Sequence, residues 1–312
     1  MPSGDASCRV GVDENGLGAR LGPLVVTAVL AEVTAAGQSV FNRPLRGKIR
    51  QDLGDSKRLV SHSDISLGEA WARVLTGDSW ATPQALFEHL SWESSTSLRK
   101  DCPSHVESQC WGVVGEAFAS SHEVCDRLRR HVAKLRERGV DVVLVQVAST
   151  CTQRLNRARQ SGGNRFVSDL HAMEELLIAL RQRASRDLVA VCGKVGGMTD
   201  YDRFFGPLST HLHSASLVSR KRSTYHFAGL GEVSFVQDAD ATDPLVMLAS
   251  LVGKYVRELL MARISRFHGA ADIKVSGYHD PRTDGWVDAT RERRRSLQIV
   301  DECFERARDT AS

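Results

Sequence analysis

Apolar residues fall in short runs at 10–12, 24–33, 140–147 and 188–191, and again at 233–236. Runs of that length, bounded by Gly, Pro, Asn and Asp, read as strands. Three longer stretches, 168–183, 244–267 and 288–308, carry their apolar residues at helical spacing instead. Pro244 suits the first turn of its helix, which makes Asp243 the expected N-cap. Strands alternating with helices predict an α/β sheet covered by helices. Roughly residues 76–138 add no strand run but hold Trp80, Trp92 and Trp111, so this segment is expected to pack on the core as helices. Tyr225 and Phe227 read either as a pair that stacks on a base or, at least as well, as a strand edge.

The first apolar run ends in two adjacent carboxylates, Asp13 and Glu14, and a glycine-rich turn follows at once, Gly16-Leu17-Gly18, with Gly22-Pro23 behind it. Neighbouring strand residues point to opposite faces, so only one of the two acids is expected to be buried. Glycines let a backbone bend and approach a ligand closely. Acids beside such a turn form a place to hold a divalent cation against a phosphate. Residues 53–59 then read LGDSKRL, residues 240–261 read DATDPLVMLASLVGKYVRELLM, and residues 276–286 read SGYHDPRTDGW. On the 244–267 stretch Lys254 and Glu258 stand four apart and share a helix face. That is the spacing of a surface ion pair or of a site lysine beside a site acid.

Together these segments resemble the type 2 ribonucleases H, the ribonuclease HII family. That family opens with a glycine, a hydrophobic residue and an Asp-Glu pair, then a Gly-Arg-Gly turn, a Gly-Pro and an Asp-Ser-Lys-basic-Leu run. Here the same order appears as Gly11, Asp13, Glu14, Gly16-Leu17-Gly18, Gly22-Pro23 and Asp55-Ser56-Lys57-Arg58-Leu59. Ala249, Ser250, Lys254, Arg257 and Met261 fall on the family's late helix, and Ser276-Gly277-Tyr278, Asp280-Pro281, Thr283 and Trp286 on its later run.

The resemblance implies an α/β fold, a ribonuclease H-like mixed sheet flanked by helices, in a single domain over residues 1–312. A helical insertion at about 76–138 and a C-terminal helical segment at about 265–312 complete it. It implies a metal-dependent endonuclease that cuts the RNA strand of RNA-DNA hybrids, or a ribonucleotide embedded in duplex DNA, and leaves a 3′-hydroxyl. Asp13, Glu14 and Glu258 are the implied catalytic acids and ligands for Mg2+ or Mn2+. Gly16, Leu17, Gly18, Lys57, Lys254 and Tyr278 are the implied substrate contacts, the turn and the tyrosine meeting the ribose whose 2′-hydroxyl marks RNA.

Three departures fall on residues that carry chemistry. The family's third acid ends a buried strand, yet the run 188–195, LVAVCGKV, has Cys192 and Gly193 there. The fourth acid is Glu258, one methylene longer than aspartate, and the arginine of the turn is Leu17, which cannot replace a guanidinium at a phosphate. Three carboxylates suffice for one magnesium with waters and substrate phosphate, whereas two cations are harder to hold. Asp200, Asp202 and Asp240 are the acids available to fill the gap at Gly193. The alternative is a catalytically impaired relative that binds nucleic acid or a protein partner.

Composition changes little in this picture. A net charge of +3 over 312 residues does not announce a polyanion partner, but Lys57-Arg58, residues 219–222 and residues 291–295 (RERRR) form local basic groups. Seven cysteines make no CxxC pair, and His171, His211 and Cys192 lack partners at catalytic spacing. No stretch approaches the roughly 20 apolar residues of a membrane span. A reducing cytoplasm is the expected home.

Overall fold

A computed structural model describes residues 6–77, 79–104, 108–269 and 275–307. Among them the apolar runs form β1 (Ser7–Asn15), β2 (Leu24–Val33), β3 (Val140–Thr150), β4 (Leu188–Gly193) and β7 (Gly231–Val236). Two further strands, β5 (His213–Val218) and β6 (Arg222–Phe227), complete a mixed sheet in the order β3-β2-β1-β4-β7-β6-β5. β1 pairs antiparallel with β2 and β2 with β3; β4 runs parallel to both β1 and β7. The three central strands therefore end together, at Asn15, Gly193 and Val236.

Helices cover both faces, and strand alternation decides which residues meet them. Cys8, Val10 and Val12 of β1 join Val26, Ala28 and Leu30 of β2 against Leu170, Met173, Leu176 and Leu180 of the helix Arg165–Arg183. On the other face Val25, Val29 and Val33 meet the helix Pro244–Phe267, which is apolar and buried along nearly its whole length. Gly11 sits where this long helix crosses β1, and a Cβ there would lie 2.3 Å from the Leu245 carbonyl carbon and 2.4 Å from the Val246 nitrogen. No side chain fits between strand and helix. Asp243 caps the helix as expected, accepting from Leu245 N at 2.9 Å and Val246 N at 3.3 Å.

Residues 76–138 supply the helices Pro83–Leu90 and His122–Glu137, whose Leu86, Phe87, Leu90, Leu128 and Leu135 enter the same core as the long helix. The C-terminal stretch is helical but not one helix. It divides into Pro281–Ala289, Arg291–Ser296 and Asp301–Phe304, because Gln298 takes a left-handed backbone (φ 54°) and Val300 an extended one. The breaks turn Trp286, Ile299 and Phe304 into the core, which a straight rod over 288–308 would not allow. No helix among the described residues is long and apolar enough to cross a membrane.

Candidate active site

Ligands of open α/β sheets gather beyond the carboxyl ends of the parallel strands. A cleft of about 850 Å³ opens there, and it is lined by Asp13, Glu14, Gly16, Leu17, Gly18, Lys57, Gly193, Lys254, Glu258 and Tyr278, whereas Asp200 and Asp202, offered from sequence to fill the gap at Gly193, lie outside its lining and bond to Tyr225 and His213. Asp238, Asp240, Ser56, Ser250 and Arg257 line it too.

Both β1 acids are half-buried, contrary to the one-in, one-out expectation. The strand stops one residue after Glu14, and the turn folds back so that the Leu17 amide donates to the Glu14 carboxylate at 3.0 Å. Burial pushes the Asp13 carboxyl well above the usual range, opposed by a Ser250 hydrogen bond and reinforced by the charges of Glu14 and Asp240. Burial also raises Glu14, against the Leu17 amide and the charges of Arg306, Lys57 and Arg257.

Glu258 lines the same cleft and is paired there with Arg257. Its carboxylate accepts from Arg257 Nη1 at 2.7 Å, and both side chains are buried. Burial raises its carboxyl, and the opposing charges are Arg257, His62 and Lys254. After Glu14, an acid whose charge raises Asp13 is Asp240, on the single turn Ala239–Thr242 that follows β7. Asp238, just before that turn, has a left-handed backbone (φ 56°), which an aspartate tolerates better than most residues.

A further acid was not legible as a site residue. Asp169, on the helix Arg165–Arg183, is fully buried, and neither carboxylate oxygen has a hydrogen-bond partner. Burial drives its carboxyl well up, with Glu14 and Asp13 adding to the effect. The one signal in the sequence is its place on an apolar helical stripe with Met173, Leu176 and Leu180. At Gly193 a Cβ would lie 2.7 Å from Asp13 Oδ1, so a side chain at that position points at the β1 acid.

The basic side is built from the long helix and the turns beside it. Lys254 Nζ donates to the Ser56 carbonyl at 3.1 Å, and burial lowers its ammonium pKa. Ser56 and Ser250 hydroxyls lie 2.8 Å apart, and Asp55 caps the short turn that carries Lys57. Arg257 Nη2 donates to the Ser276 carbonyl at 2.9 Å, and its guanidinium lies 4.4 Å from the centre of the half-exposed Tyr278 ring. Gly16 has φ 94°, and a Cβ there would lie 2.6 Å from Arg257 Nε, so turn and arginine are fitted to each other. Gly18 faces open space.

From the far end of the chain Arg306 reaches under the turn and donates to the Gly16 and Gly22 carbonyls. Burial lowers its pKa to about 9. Leu17 thus leaves the turn without a guanidinium of its own, while Arg257 and Arg306 support it from outside.

Oxygen-only donors such as Asp13, Glu14 and Asp240 suit hard divalent cations. Among the described residues no three His, Cys, Asp or Glu side chains stand close enough to hold a metal ion together. Magnesium commonly uses only one or two protein carboxylates, with water and phosphate completing its shell, and the pair on β1 meets that need.

No protein-family model and no curated protein matches this chain. Solved structures do, over nearly its full length. The RNase HII of the PCNA:RNase HII complex from Archaeoglobus fulgidus is 16% identical, with a TM-score of 0.41, over 98% of this chain and 96% of that one. Bst-RNase HIII in complex with Mn2+ is 14% identical, with a TM-score of 0.46, over 98% and 70%. The ribonuclease H2 from Pyrococcus horikoshii OT3 is 17% identical, with a TM-score of 0.40, over 95% and 92%. At these values no residue role is transferred from any of them.

Proposed function

We propose that the chain is a divergent type 2 ribonuclease H, a metal-dependent endonuclease that acts on the RNA strand of RNA-DNA hybrids or on ribonucleotides embedded in duplex DNA. The observation that carries this reading is the single cleft in which Asp13, Glu14 and Asp240 face Lys57, Lys254 and the glycine turn beneath Tyr278. Acids for a cation, ammonium groups for a phosphate and open backbone for a sugar occupy one volume.

Asp13 and Glu14 would hold Mg2+ or Mn2+, with Asp240 adding negative charge beside Asp13. Such an ion supplies a nucleophilic water and neutralises charge on the phosphate and the leaving oxygen. Lys57 and Lys254 meet the phosphate backbone, and the ammonium of Lys254 is held in register by the Ser56 carbonyl. The exposed Gly18 backbone and the Tyr278 ring meet the ribose, where a 2′-hydroxyl separates RNA from DNA. In this reading Glu258 holds Arg257 against Tyr278, and the third acidic place belongs to Asp240.

A second reading, a protein that binds hybrids without efficient cleavage, is favoured by Gly193 and by the lack of a three-donor cluster among the described residues. A duplex containing one ribonucleotide, incubated with the purified chain and Mn2+, tests both. Nicks that leave a 3′-hydroxyl and vanish in Asp13→Asn support the nuclease. Binding without nicks supports the second reading, and no preference for hybrid over plain duplex sinks both.

A further inference from the structure

We propose that the turn between β5 and β6, residues 219–222, is a phosphate-binding element, in which Arg220 grips a backbone phosphate of the substrate about 14 Å from the β1 acids. The inference rests on the nucleic-acid reading above and adds to it the far wall of the groove.

Strand direction puts this turn at the mouth of the cleft. β6 runs antiparallel to β7 and starts at Arg222, opposite Val236, and Val236 pairs in turn with Gly193 of β4. Val12 of β1 pairs with Cys192, so Asp13, Gly193, Val236 and Arg222 lie in one row across the strand ends. At about 4.8 Å per strand, that row spans roughly 14 Å. Arg220 and Lys194 line the cleft at the far end of the row, while Lys254 enters it from the long helix packed on β1.

The turn is tied into one shape. Ser219 N donates to the Arg222 carbonyl at 3.0 Å, Arg222 N donates to the Ser219 hydroxyl at 3.1 Å, and Gln237 N donates to the Lys221 carbonyl at 2.9 Å. Lys194 Nζ donates to the Arg220 carbonyl, which fastens the turn to the end of β4. The Arg222 guanidinium folds back onto the sheet and donates to the Thr224 and Ser234 hydroxyls at 3.3 and 3.0 Å. Arg220 differs. Its side chain is exposed and, among the described residues, bonds to nothing, so a free guanidinium stands on a fixed backbone at the cleft wall. Such a planar fork meets a phosphate with two parallel hydrogen bonds. The glycine turn offers Leu17 to the cleft, and the hairpin turn supplies a guanidinium from the opposite side.

Each base pair advances a strand by about 3.4 Å, so the phosphate held by Arg220 lies roughly four base pairs from the cut. Fluorescence anisotropy tests this on duplexes containing one ribonucleotide, trimmed a base pair at a time on either side of it, in EDTA at several salt concentrations. Affinity of the parent chain should drop in a step, on the order of tenfold, once fewer than about four base pairs remain on one side. Arg220→Ala should show a similar loss on long duplexes, lower the slope of log affinity against log salt by about one, and abolish the step. Arg220→Lys should keep the slope and recover part of the affinity. Lys221→Ala, one residue further on and outside the cleft lining, should lose much less. If Arg220→Ala binds long duplexes as the parent does, or still shows the step, the inference fails while the nuclease reading stands. An equal loss in Lys221→Ala makes the effect a diffuse field and overturns the site. A parent chain that binds none of these duplexes overturns both.

Discussion

Glu258 and Asp240 line the same cleft, and the proposed roles predict opposite phenotypes for them. Glu258→Ala removes the partner of a guanidinium whose side chain is only 1% exposed and leaves it with the Ser276 carbonyl and the Tyr278 ring. Breaking a buried pair in this way costs about 3–5 kcal/mol. At about 2 °C per kcal/mol for a chain of this size, the thermal midpoint should drop by roughly 6–10 °C. Asp240→Asn touches a partly exposed acid whose charge repels Asp13, so stability should change by less than about 1 kcal/mol or improve slightly. Its loss should appear in cleavage. Removing one carboxylate from the cation site should lower the single-turnover rate on the order of a thousandfold, or about 4 kcal/mol of barrier. Thermal unfolding in EDTA and single-turnover nicking with Mn2+, run on both variants, read the two axes separately. If Glu258→Ala stays as stable as the parent yet stops binding Mn2+, the assignment of Glu258 to Arg257 is refuted.

Other expectations follow from the same geometry. Gly11→Ala would put a methyl 2.3 Å from the backbone of Leu245, about 1 Å inside ordinary contact, so the long helix must shift off β1; urea unfolding should show a loss of about 3 kcal/mol or more. Asp13, Glu14, Asp169 and Glu258 all have carboxyls raised by burial in the folded state. Groups raised on folding stabilise the protein at low pH and lose that contribution as pH rises through their folded values. The metal-free thermal midpoint should therefore fall from the ordinary carboxylate range toward neutral pH, and Mn2+ should flatten the slope; a midpoint that climbs over that window contradicts the burial argument. Lys57→Ala should weaken hybrid binding and reduce the slope of log affinity against log salt by about one, which a gel shift at several salt concentrations measures.

The parts of the fold that could be read along the chain are those in which one residue type dominates a segment. β1 to β4 and β7 each contain a short apolar run, the long helix carries its apolar residues at helical spacing, and Asp243 beside Pro244 marks a helix start without ambiguity. β5 escaped because SASLV mixes polar with apolar residues and lies exposed at the sheet edge, while β6 was legible only as a strand edge at Tyr225 and Phe227, both of which the structure buries in an interior strand. The broken C-terminal helices escaped because helical spacing over 288–308 says nothing of where Trp286 and Phe304 must turn. Site residues divide in the same way. The glycine turn, Lys57, Lys254 and Tyr278 sit in local motifs and meet in one cleft. Spacing placed Glu258 on the face of Lys254, but whether an acid answers to a neighbouring arginine or to a distant aspartate is settled only by packing. Asp169 shows the limit most sharply, since a lone acid in an apolar stripe has no motif.

Arg306 bonds to a carbonyl 290 positions earlier in the chain. The ribosome must deliver 290 further residues after Gly16 before the loop after β1 gains this support, even though domains generally begin folding from the N-terminal side during synthesis. Assembly of the sheet and completion of the cleft are thus separated in time. A nascent molecule, or one cut ahead of residue 306, carries its acids beside a turn that rests on Arg257 alone.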